Sequence, residues 1–430
     1  MVERDPTRMC ELLVGLEEVA VLGVDDDGVG PLVVHVESTG RRSGCPECGL
    51  FGWSKDRPAV TLVDLPCFGR RTRLVWHKHR MVCPDGCPKT WTVEVPSIAA
   101  SRMAMTDRAG RWACWQVGLK ARTVSEVAVE LGCDWHTVND AVIAYGTPLV
   151  EDPARIAATT CGLGLDETLF ARTGKFRFQS WATSIVDVAG HRLLDIVEGR
   201  TASAASGWIN ERSQAWRAAI RWGILDLSGP YRKAFTDSLP HAVQVADPFH
   251  VVKLANQMLD DVRRRVQNET LGHRGRKHDP LYRSRRLLLT GHDRLDDKGE
   301  AKLLSLLDAG DPRGEVRDAW HVKEVVRSIY DLDDPTVALA FVTNLAAELQ
   351  DREMSPEVRR LGRTIKTWRT QIAAWHACKL SNGPTEGANC MIKRVKRIGC
   401  GFKNFGHYRI RVLLYAGKPN WDLLATITPR

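Results

Sequence analysis

The sequence predicts a multidomain α/β protein, and three observations support this prediction. The chain has 430 residues, enough for two or more domains that each bury a core. Paired cysteines lie among short alternating runs between residues 41 and 96, and strand-like apolar runs return between residues 161 and 247. From residue 248 to about residue 377 the pattern is helical and rich in arginine. We therefore expect small cysteine-containing and helical domains ahead of a larger α/β core.

The charge balance favours an anionic partner. There are 61 Lys and Arg residues against 52 Asp and Glu, a formal net charge of +9, which makes nucleic acid the first candidate. The N-terminal stretch "MVERDPTRMC" lacks the apolar core of a signal peptide, and the longest uncharged run, residues 335–347, is too short to cross a bilayer. We expect a cytoplasmic protein whose twelve cysteines serve as thiols or metal ligands rather than disulfides.

Two cysteine pairs give the clearest local signal. Cys45 and Cys48 lie in "CPECG", and Cys83 and Cys87 lie in "CPDGCP". Gly/Pro turns of this kind let two sulfurs converge on one ion, and four thiolates satisfy tetrahedral zinc. We therefore predict a structural Zn²⁺ site; the alternative, four free and partly buried thiols, leaves the paired spacing unexplained.

Three residues between the two pairs are alternative ligands: Cys67, His77 and His79. We favour them less, because "WHKHR" continues an alternating strand in which His77 and His79 share a face with other polar groups.

The stretch "TVSEVAVELGCDWHTVNDAVIAYG", residues 123–146, predicts a helix-turn-helix. Apolar residues at helical spacing precede Gly132, Asp134 can cap a second helix, and that helix has an apolar face of its own. An ordinary helical hairpin is the alternative, and the basic chain with a cysteine ribbon before it favours DNA binding. The residues expected to face the major groove are Trp135, His136, Thr137 and Asn139.

Three carboxylates stand at the ends of predicted elements. Asp166 ends the apolar run in "GLGLDE", Asp247 ends the run in "VQVAD", and Glu386 opens the basic stretch "TEGANCMIKRVKRIGCGF". Singly, Asp247 before Pro248 suits a helix N-cap and Glu386 suits a first helical turn. Brought together, three carboxylates would bind two Mg²⁺ ions through oxygen.

Basic residues follow Glu386. On a helix that begins near Pro384, the acid lies in the first turn and Lys393 and Arg397 lie farther along the same face. We expect the interleaved Phe402, Phe405 and Tyr408 to pack in a core rather than stack on bases. The basic residues expected to contact DNA are Lys393, Arg394, Lys396, Arg397 and Lys403, with Arg409 and Arg411 extending the same positive track.

Several motifs resemble those of one family. They span residues 45 to about 415: "CPECG", "CPDGC", "GLDE", "ADPFHVVKLAN", "TWRTQI" and "LSNGPTEGANCMIKRVKRIGCGFKNFGHYRIRVLL". The chain resembles the transposases of the ISL-three (ISL3) insertion-sequence family, DDE enzymes with a ribonuclease-H-like core. The resemblance implies that Asp166, Asp247 and Glu386 form the catalytic triad and bind Mg²⁺ or Mn²⁺, and that a helical insertion separates the second acid from the third.

The resemblance also implies a division into domains and an activity. We expect the element's terminal repeats and the target DNA as double-stranded partners, a homodimer or higher oligomer on DNA, and association with the nucleoid. The implied reaction cuts phosphodiester bonds by metal-assisted hydrolysis and joins the 3′-hydroxyl ends to target DNA. The expected segments are an N-terminal segment (1–40), a zinc ribbon (41–100), a helix-turn-helix domain (101–150), the first part of the core (155–250), a helical insertion (251–375) and the C-terminal part of the core (376–430).

Two alternatives stay open at this stage. One is a DNA-binding regulator that has lost catalysis, and the other is a ribonuclease-H-like nuclease that cuts without joining. Glu167 is assigned no metal role, because neighbouring residues of a continuous strand point to opposite faces.

Overall fold

The computed structural model describes residues 5–16, 18–39, 43–157 and 160–429, which form two compact units. The first unit comprises Met1–Ala157 and Cys390–Arg430, and the second comprises Ala158–Asn389. In the part of the chain so described, no helix is long and apolar enough to span a membrane.

The described residues of the first unit up to Ala157 form seven strands and five helices. The strands are β1 (Val19–Asp25), β2 (Leu32–Ser38), β3 (Trp53–Asp56), β4 (Ala59–Cys67), β5 (Arg70–His77), β6 (Arg80–Val82) and β7 (Thr90–Thr92). The helices are α1 (Pro6–Val14), α2 (Asp107–Gly118), α3 (Val124–Leu131), α4 (Trp135–Val150) and α5 (Ala154–Ala157).

Two sheets organise these strands. One is four-stranded in the order β1-β2-β5-β4, and the other joins β3, β6 and β7. The alternation predicted around "TRLVWH" is confirmed in β5, where Leu74 and Trp76 are buried in a core with Leu62 and Val36. Residues 1–40, expected as a separate segment, supply β1 and β2 to the four-stranded sheet, because their own apolar faces complete this core.

The helices α3 and α4 lie where the sequence predicts two helices and a turn. Thr123 and Glu126 form a capping box at the start of α3, and Gly132 ends that helix with φ of 67°. The side chain of Asp134 caps α4 by accepting a hydrogen bond from Thr137 N–H. The guanidinium of Arg73 on β5 donates to the Leu131 carbonyl at 3.2 Å, which fixes the end of α3 against the sheet.

The second unit is built on a five-stranded mixed sheet. Its strands have the order β10-β9-β8-β11-β12, in which β8, β9 and β10 are antiparallel to one another and β11 runs parallel to both β8 and β12. The strands are β8 (Gly162–Thr173), β9 (Phe178–Asp187), β10 (Arg192–Glu198), β11 (Trp222–Leu225) and β12 (Val243–Ala246). The helices among them are α6 (Ala202–Asn210), α7 (Gln214–Ala219) and α8 (Gly229–Ser238).

The arginine-rich region after β12 is helical, as predicted. A central ion-pair network joins three of its helices, since Arg265 pairs with Glu315 at 2.5 Å and with Glu357 at 2.9 Å. The helices are α9 (Pro248–Leu271), α10 (Pro280–Leu289), α11 (Asp297–Gly310), α12 (Glu315–Ser328), α13 (Pro335–Glu348) and α14 (Pro356–Cys378). Short 3-10 turns lie at His292–Arg294 and Ile329–Asp331.

Two more helices follow, α15 (Gly383–Ile398) and α16 (Phe405–Ala416), with a 3-10 turn at Trp421–Ala425. The boundary between the two units falls inside α15, after Asn389. The segment 376–430, expected to belong wholly to the core, is therefore divided: α16 packs against α2 and α4 of the first unit. Gly146 makes this packing close, because an added Cβ there would lie 2.7 Å from a methyl group of Leu414.

Candidate metal and nucleic-acid sites

Three acidic residues lie on three neighbouring strands of the second unit's sheet: Asp226 and Asp247 directly follow β11 and β12, whereas Asp166 lies within β8 rather than at the strand end that the sequence predicts. Ile224 of β11 pairs with Gly164 of β8, so Asp226 lies in register with Asp166. Ala246 of β12 pairs with Leu225 of β11, so Asp247 follows its strand at the same edge. Ends of parallel strands are where α/β sheets bind ligands.

Asp166, Glu167 and Asp226 form an acidic cluster. One oxygen from each carboxylate lies within 4.8 Å of the others, the spacing of groups that share a cation. Burial, with the nearby charge of Asp226, raises the pKa of Asp166 to about 6, and burial also raises the pKa of Asp226 and of Glu167. Asp226 Oδ1 is buried without a hydrogen-bond partner in the described part of the chain. The three residues fit a divalent cation. Such a cation would relieve the repulsion among the three carboxylates and would interact with Asp226 Oδ1.

Glu167 differs from expectation, because its carboxylate reaches the same cluster rather than the opposite face. Asp166 Oδ1 accepts a hydrogen bond from Glu167 N–H at 2.7 Å, and one oxygen of each of these two carboxylates lies within 4.8 Å of the other. Glu167 also pairs with Arg200, whose Nη1 lies 3.9 Å from Glu167 Oε1.

Asp247 is held differently from the cluster. Its side chain is only 2% exposed; Oδ1 accepts a hydrogen bond from Asn382 N–H at 2.9 Å, and Oδ2 lies 3.0 Å from His250 Nδ1. This hydrogen bond to Asp247 raises the pKa of His250, and the charges of Asp226 and Glu386 raise it further. Both oxygens of Asp247 are thus occupied by neighbouring protein groups.

The segment around Glu386 packs on β8 through polar residues at helical spacing. Asn389 Nδ2 donates to Asp166 Oδ2 at 2.6 Å, and Thr385 and Asn382 are fully buried. Gly164 permits this approach, because an added Cβ would collide with the Thr385 hydroxyl. Glu386 itself is exposed in the first turn of α15, and Asn389 lies one turn after it.

Asp226 was missed by the sequence analysis, although a signal was present. The run "WGILD" is apolar up to a final acid, as are "GLGLD" and "VQVAD". β11 has only four residues and follows two short helices. So short a run does not stand out from the helical pattern before it.

The four predicted zinc ligands converge in the first unit. The sulfurs of Cys45, Cys48, Cys83 and Cys87 all lie within 4.8 Å of one another. Gly49 and Gly86 provide the turns, with φ of 79° and 74°. Hydrogen bonding with Cys83 raises the pKa of Cys87 to about 12, so four thiolates need a cation to coexist here. The donor set fits a tetrahedral thiophilic metal.

The alternative ligands lie outside this group of sulfurs. His77 Nε2 is 3.4 Å from His35 Nδ1, and His79 Nε2 is 3.1 Å from the Ser38 carbonyl oxygen. Both histidines therefore share polar contacts along the four-stranded sheet, as the alternating pattern indicates.

The residues predicted to read DNA differ in exposure. Trp135 is 44% exposed and His136 is exposed, whereas the Thr137 hydroxyl is hydrogen-bonded to Asp134 at 2.9 Å. Asn139 is only 4% exposed, so it does not present its amide to a groove on the outer surface.

The predicted basic track is mostly exposed. Lys393, Arg394, Arg397 and Lys403 are exposed, and Lys396 is half-buried. Arg409 instead pairs with Glu151.

Two other residues from the end of this segment are buried in the first unit. Arg411 is 4% exposed, which removes it from the surface track, and Tyr408 is fully buried, as the preference for core packing predicts. Phe402 lies against Tyr408, with ring centroids 5.2 Å apart.

Comparison with known proteins places these features in a family. The DDE transposase model of the ISL3 type, described as "Transposase", matches residues 163–412, more than half of the chain. Two curated relatives, each called transposase for insertion sequence element IS1557, come from Mycobacterium tuberculosis strains CDC 1551 / Oshkosh and ATCC 25618 / H37Rv. Each is 28% identical over 291 residues, which is 63% of this chain and 63% of the relative, so the match spans less than two thirds of their length.

One solved structure is distantly similar. It is the Drosophila P element transposase strand transfer complex, with 10% identity, a TM-score of 0.38 and coverage of 75% of this chain and 94% of that one. At that score the likeness carries no structural argument. The family match runs from β8 into α16 and includes the acidic cluster, Asp247 and Glu386, and on this basis the chain belongs to the ISL3-type family of DDE transposases.

Proposed function

We propose that this chain is a DNA transposase that binds the ends of an insertion sequence, cuts phosphodiester bonds with divalent metal and joins the 3′-hydroxyl ends to target DNA. The observation that carries the proposal is the acidic cluster of Asp166, Glu167 and Asp226, on the adjacent strand β8 and directly after β11 in the mixed sheet. The order of three antiparallel and two parallel strands supports a ribonuclease-H-like core.

The chain offers five acids as metal ligands: the cluster residues Asp166, Glu167 and Asp226, together with Asp247 and Glu386. Asp166 belongs both to the acidic cluster and to the triad that the family resemblance implies. Glu386 lies one turn before Asn389, whose side chain donates a hydrogen bond to Asp166. The family resemblance implies Asp247 as the second ligand, and the geometry favours Asp226, whose Oδ1 has no partner among the described residues while both oxygens of Asp247 are engaged. We propose Asp166, Asp226 and Glu386 as ligands, with Asp247 positioning His250 and the Asn382 backbone.

Mg²⁺ or Mn²⁺ bound by these oxygens would activate the attacking hydroxyl and stabilise the leaving oxygen. The contributions of the chain itself are distinct. Asn389 orients Asp166 through its 2.6 Å hydrogen bond, and burial excludes water from the inner side of Asp166 and Asp226. The hydrogen bond with Asp247 raises the pKa of His250, which favours the cationic form of this side chain beside the acids.

The first unit supplies DNA binding in this proposal. Zn²⁺ held by Cys45, Cys48, Cys83 and Cys87 would fix the three-stranded sheet, as closed four-cysteine sites do. The helices α3 and α4 would act as a helix-turn-helix, with the exposed Trp135 and His136 at the start of the second helix. Lys393, Arg394, Lys396, Arg397 and Lys403 would contact phosphates.

A strand-transfer assay tests the proposal. Purified protein, the element's own terminal DNA and a supercoiled target are combined with Mg²⁺, and products are sequenced at the junctions. Joined 3′ ends support a transposase, cut but unjoined ends support the nuclease alternative, and end binding without cutting supports the regulator.

A further inference from the structure

A large cavity lies inside the first unit, between the helix-turn-helix region and the segment that follows α15. Its volume is about 670 Å³, within the roughly 300–1,000 Å³ typical of small-molecule sites. One wall comes from the starts of α3 and α4, including Trp135 and Asn139, and the other from residues 398–404 and the first turns of α16. No acidic residue is part of this described lining.

Arg411 lines this cavity as a buried cation. It is 4% exposed, and the described residues that line the cavity around it include no carboxylate. Its neighbours are the Phe402 ring, with the guanidinium carbon 5.7 Å from the centroid, and the thiol of Cys114. Burial lowers the pKa of Arg411 to about 10. A buried guanidinium without a counter-charge is costly, so an anionic ligand is the group that would satisfy it.

Other residues of the cavity lining indicate which chemical group is attached to the anion. Asn139 is 4% exposed and belongs to the same lining, to which it brings a side-chain amide. Trp135 and His136 form a T-shaped pair with ring centroids 5.3 Å apart, and His407 adds another ring. An amide that can pair with a base edge, flat aromatic faces and an inner cation together suit a phosphate attached to a heteroaromatic ring.

A double helix does not fit this space, because the element that reads a duplex enters a groove from outside, whereas Asn139 and Arg411 are buried. A single nucleotide turned out of the stack, or an unpaired one at a DNA end, exposes both its phosphate and its base edge.

We propose that this cavity binds one unpaired nucleotide of a DNA end, with the phosphate on Arg411 and the base against Trp135 and the Asn139 amide. The proposal rests on the proposed function for its DNA partner and is independent of the acidic cluster. The sequence predicts that Asn139 and Arg411 contact DNA from the protein surface. In this proposal they contact DNA inside the cavity instead.

The test measures binding by the full-length protein in EDTA-free buffer with Ca²⁺, which avoids cleavage. Fluorescence anisotropy compares a terminal-repeat duplex that ends in a one-nucleotide overhang with the same duplex made blunt. We expect a preference of about tenfold for the overhang, or about 1.4 kcal/mol. Arg411→Met and, as a second variant at a partly exposed position, Trp135→Leu should abolish that preference. The control is Arg57→Met, which removes an equal charge from the same unit at an arginine paired with Glu37 at 3.0 Å.

Stability adds a readout that separates ligand binding from a structural role. Removing an unpaired buried charge should raise the melting temperature of Arg411→Met, whereas a structural arginine should give a fall. Equal binding of both duplexes by the parent protein, or a preference that survives in both cavity variants, overturns the proposal. Competition by free deoxynucleoside monophosphate without an overhang preference would instead assign the cavity to a free nucleotide and also overturns it. Absence of strand transfer bears only on the proposed function, since the preference is measured without catalysis.

Discussion

Asn389 donates a hydrogen bond from its side-chain amide to Asp166 Oδ2 at 2.6 Å, joining residues 223 positions apart in the chain. Asp166 Oδ1 meanwhile accepts from the Glu167 backbone. The orientation of one carboxylate is thus set by its own strand and by the first half of α15, the helix that also carries Glu386. This hydrogen bond links the acidic cluster to the "TEGAN" motif.

The first prediction concerns this link. Asn389→Ala should weaken Mn²⁺ binding by roughly 10–100-fold, because partners that orient a ligand typically contribute that much to metal affinity. Isothermal titration with Mn²⁺ measures it directly, without DNA. Asn389→Gln keeps an amide that can reach the carboxylate and should recover part of the affinity. Wild-type affinity in the alanine variant would show that the bond does not position Asp166.

A second prediction distinguishes Asp226 from Asp247. Asp226→Asn removes a negative oxygen from the cluster and should lower DNA cleavage by more than the roughly hundredfold upper end for an orienting partner. Asp247→Asn keeps one acceptor oxygen for the Asn382 N–H and should cost less. Asp237→Asn is the matched control, since this exposed acid pairs with Lys233 at 2.9 Å on the surface of the same unit. A larger loss for Asp247→Asn, with Mn²⁺ binding also abolished, would restore the triad that the resemblance implies.

A third prediction follows from the pKa of Asp166, which burial raises to about 6. An acid whose pKa is higher in the folded than in the unfolded state favours folding while protonated, so this contribution is present below the unfolded value and lost as pH rises through about 6. A cation needs the ionised form. Mg²⁺ should therefore raise the melting temperature at pH 7.5 and have little effect at pH 5. The same increase at both values, or an unchanged increase in Asp226→Asn, would contradict this.

Local patterns predicted much of the fold but not which elements would meet. Gly132 and Asp134 marked the turn between α3 and α4, because helix caps depend on neighbouring residues alone. Asn139 was expected on an outer face, since residues 398–411, which cover it, lie some 260 positions later in the sequence. The spacing of the basic residues predicts Arg411 on a surface track for the same reason, because that spacing does not show that α16 packs in a core.

In the candidate catalytic site, too, some residues could be predicted from local sequence and others could not. Asp166 could be identified because it ends a strand-like run, and Glu386 because its motif resembles a family. Asp226 became evident only when the parallel pairing of β8 with β11 set the two acids in register. Pairing between strands that are distant in the sequence is a tertiary property. A strand of four residues has too little periodicity to be predicted from its own sequence.

A fourth prediction tests the cysteine site. The parent protein, purified without chelator, should contain one zinc per chain, and Cys45→Ser with Cys48→Ser should remove it and lower the melting temperature, because a closed four-cysteine site contributes folding energy. Elemental analysis gives the metal content. Cys67→Ser, a thiol between the two pairs that lies outside the cluster, should retain full zinc. Loss of zinc in Cys67→Ser but not in the double variant would contradict the proposed ligands and would place the zinc site elsewhere.

The last prediction concerns the exposed basic residues of α15. If Lys393 and Arg397 contact phosphates, each releases bound counterions on association, so affinity falls as salt rises. Replacing one of them by methionine should weaken binding to all sequences alike and reduce the slope of log K against log salt by about 1. Lys233→Met, which removes a charge already paired with Asp237, is the matched control and should leave the slope as it was. The full chain is needed for this measurement, because β1 and β2 complete the sheet of the first unit and α16 packs on α2 and α4. An unchanged slope in both α15 variants would show that this helix does not lie along the DNA backbone, and would move the phosphate contacts to other basic surfaces of the chain.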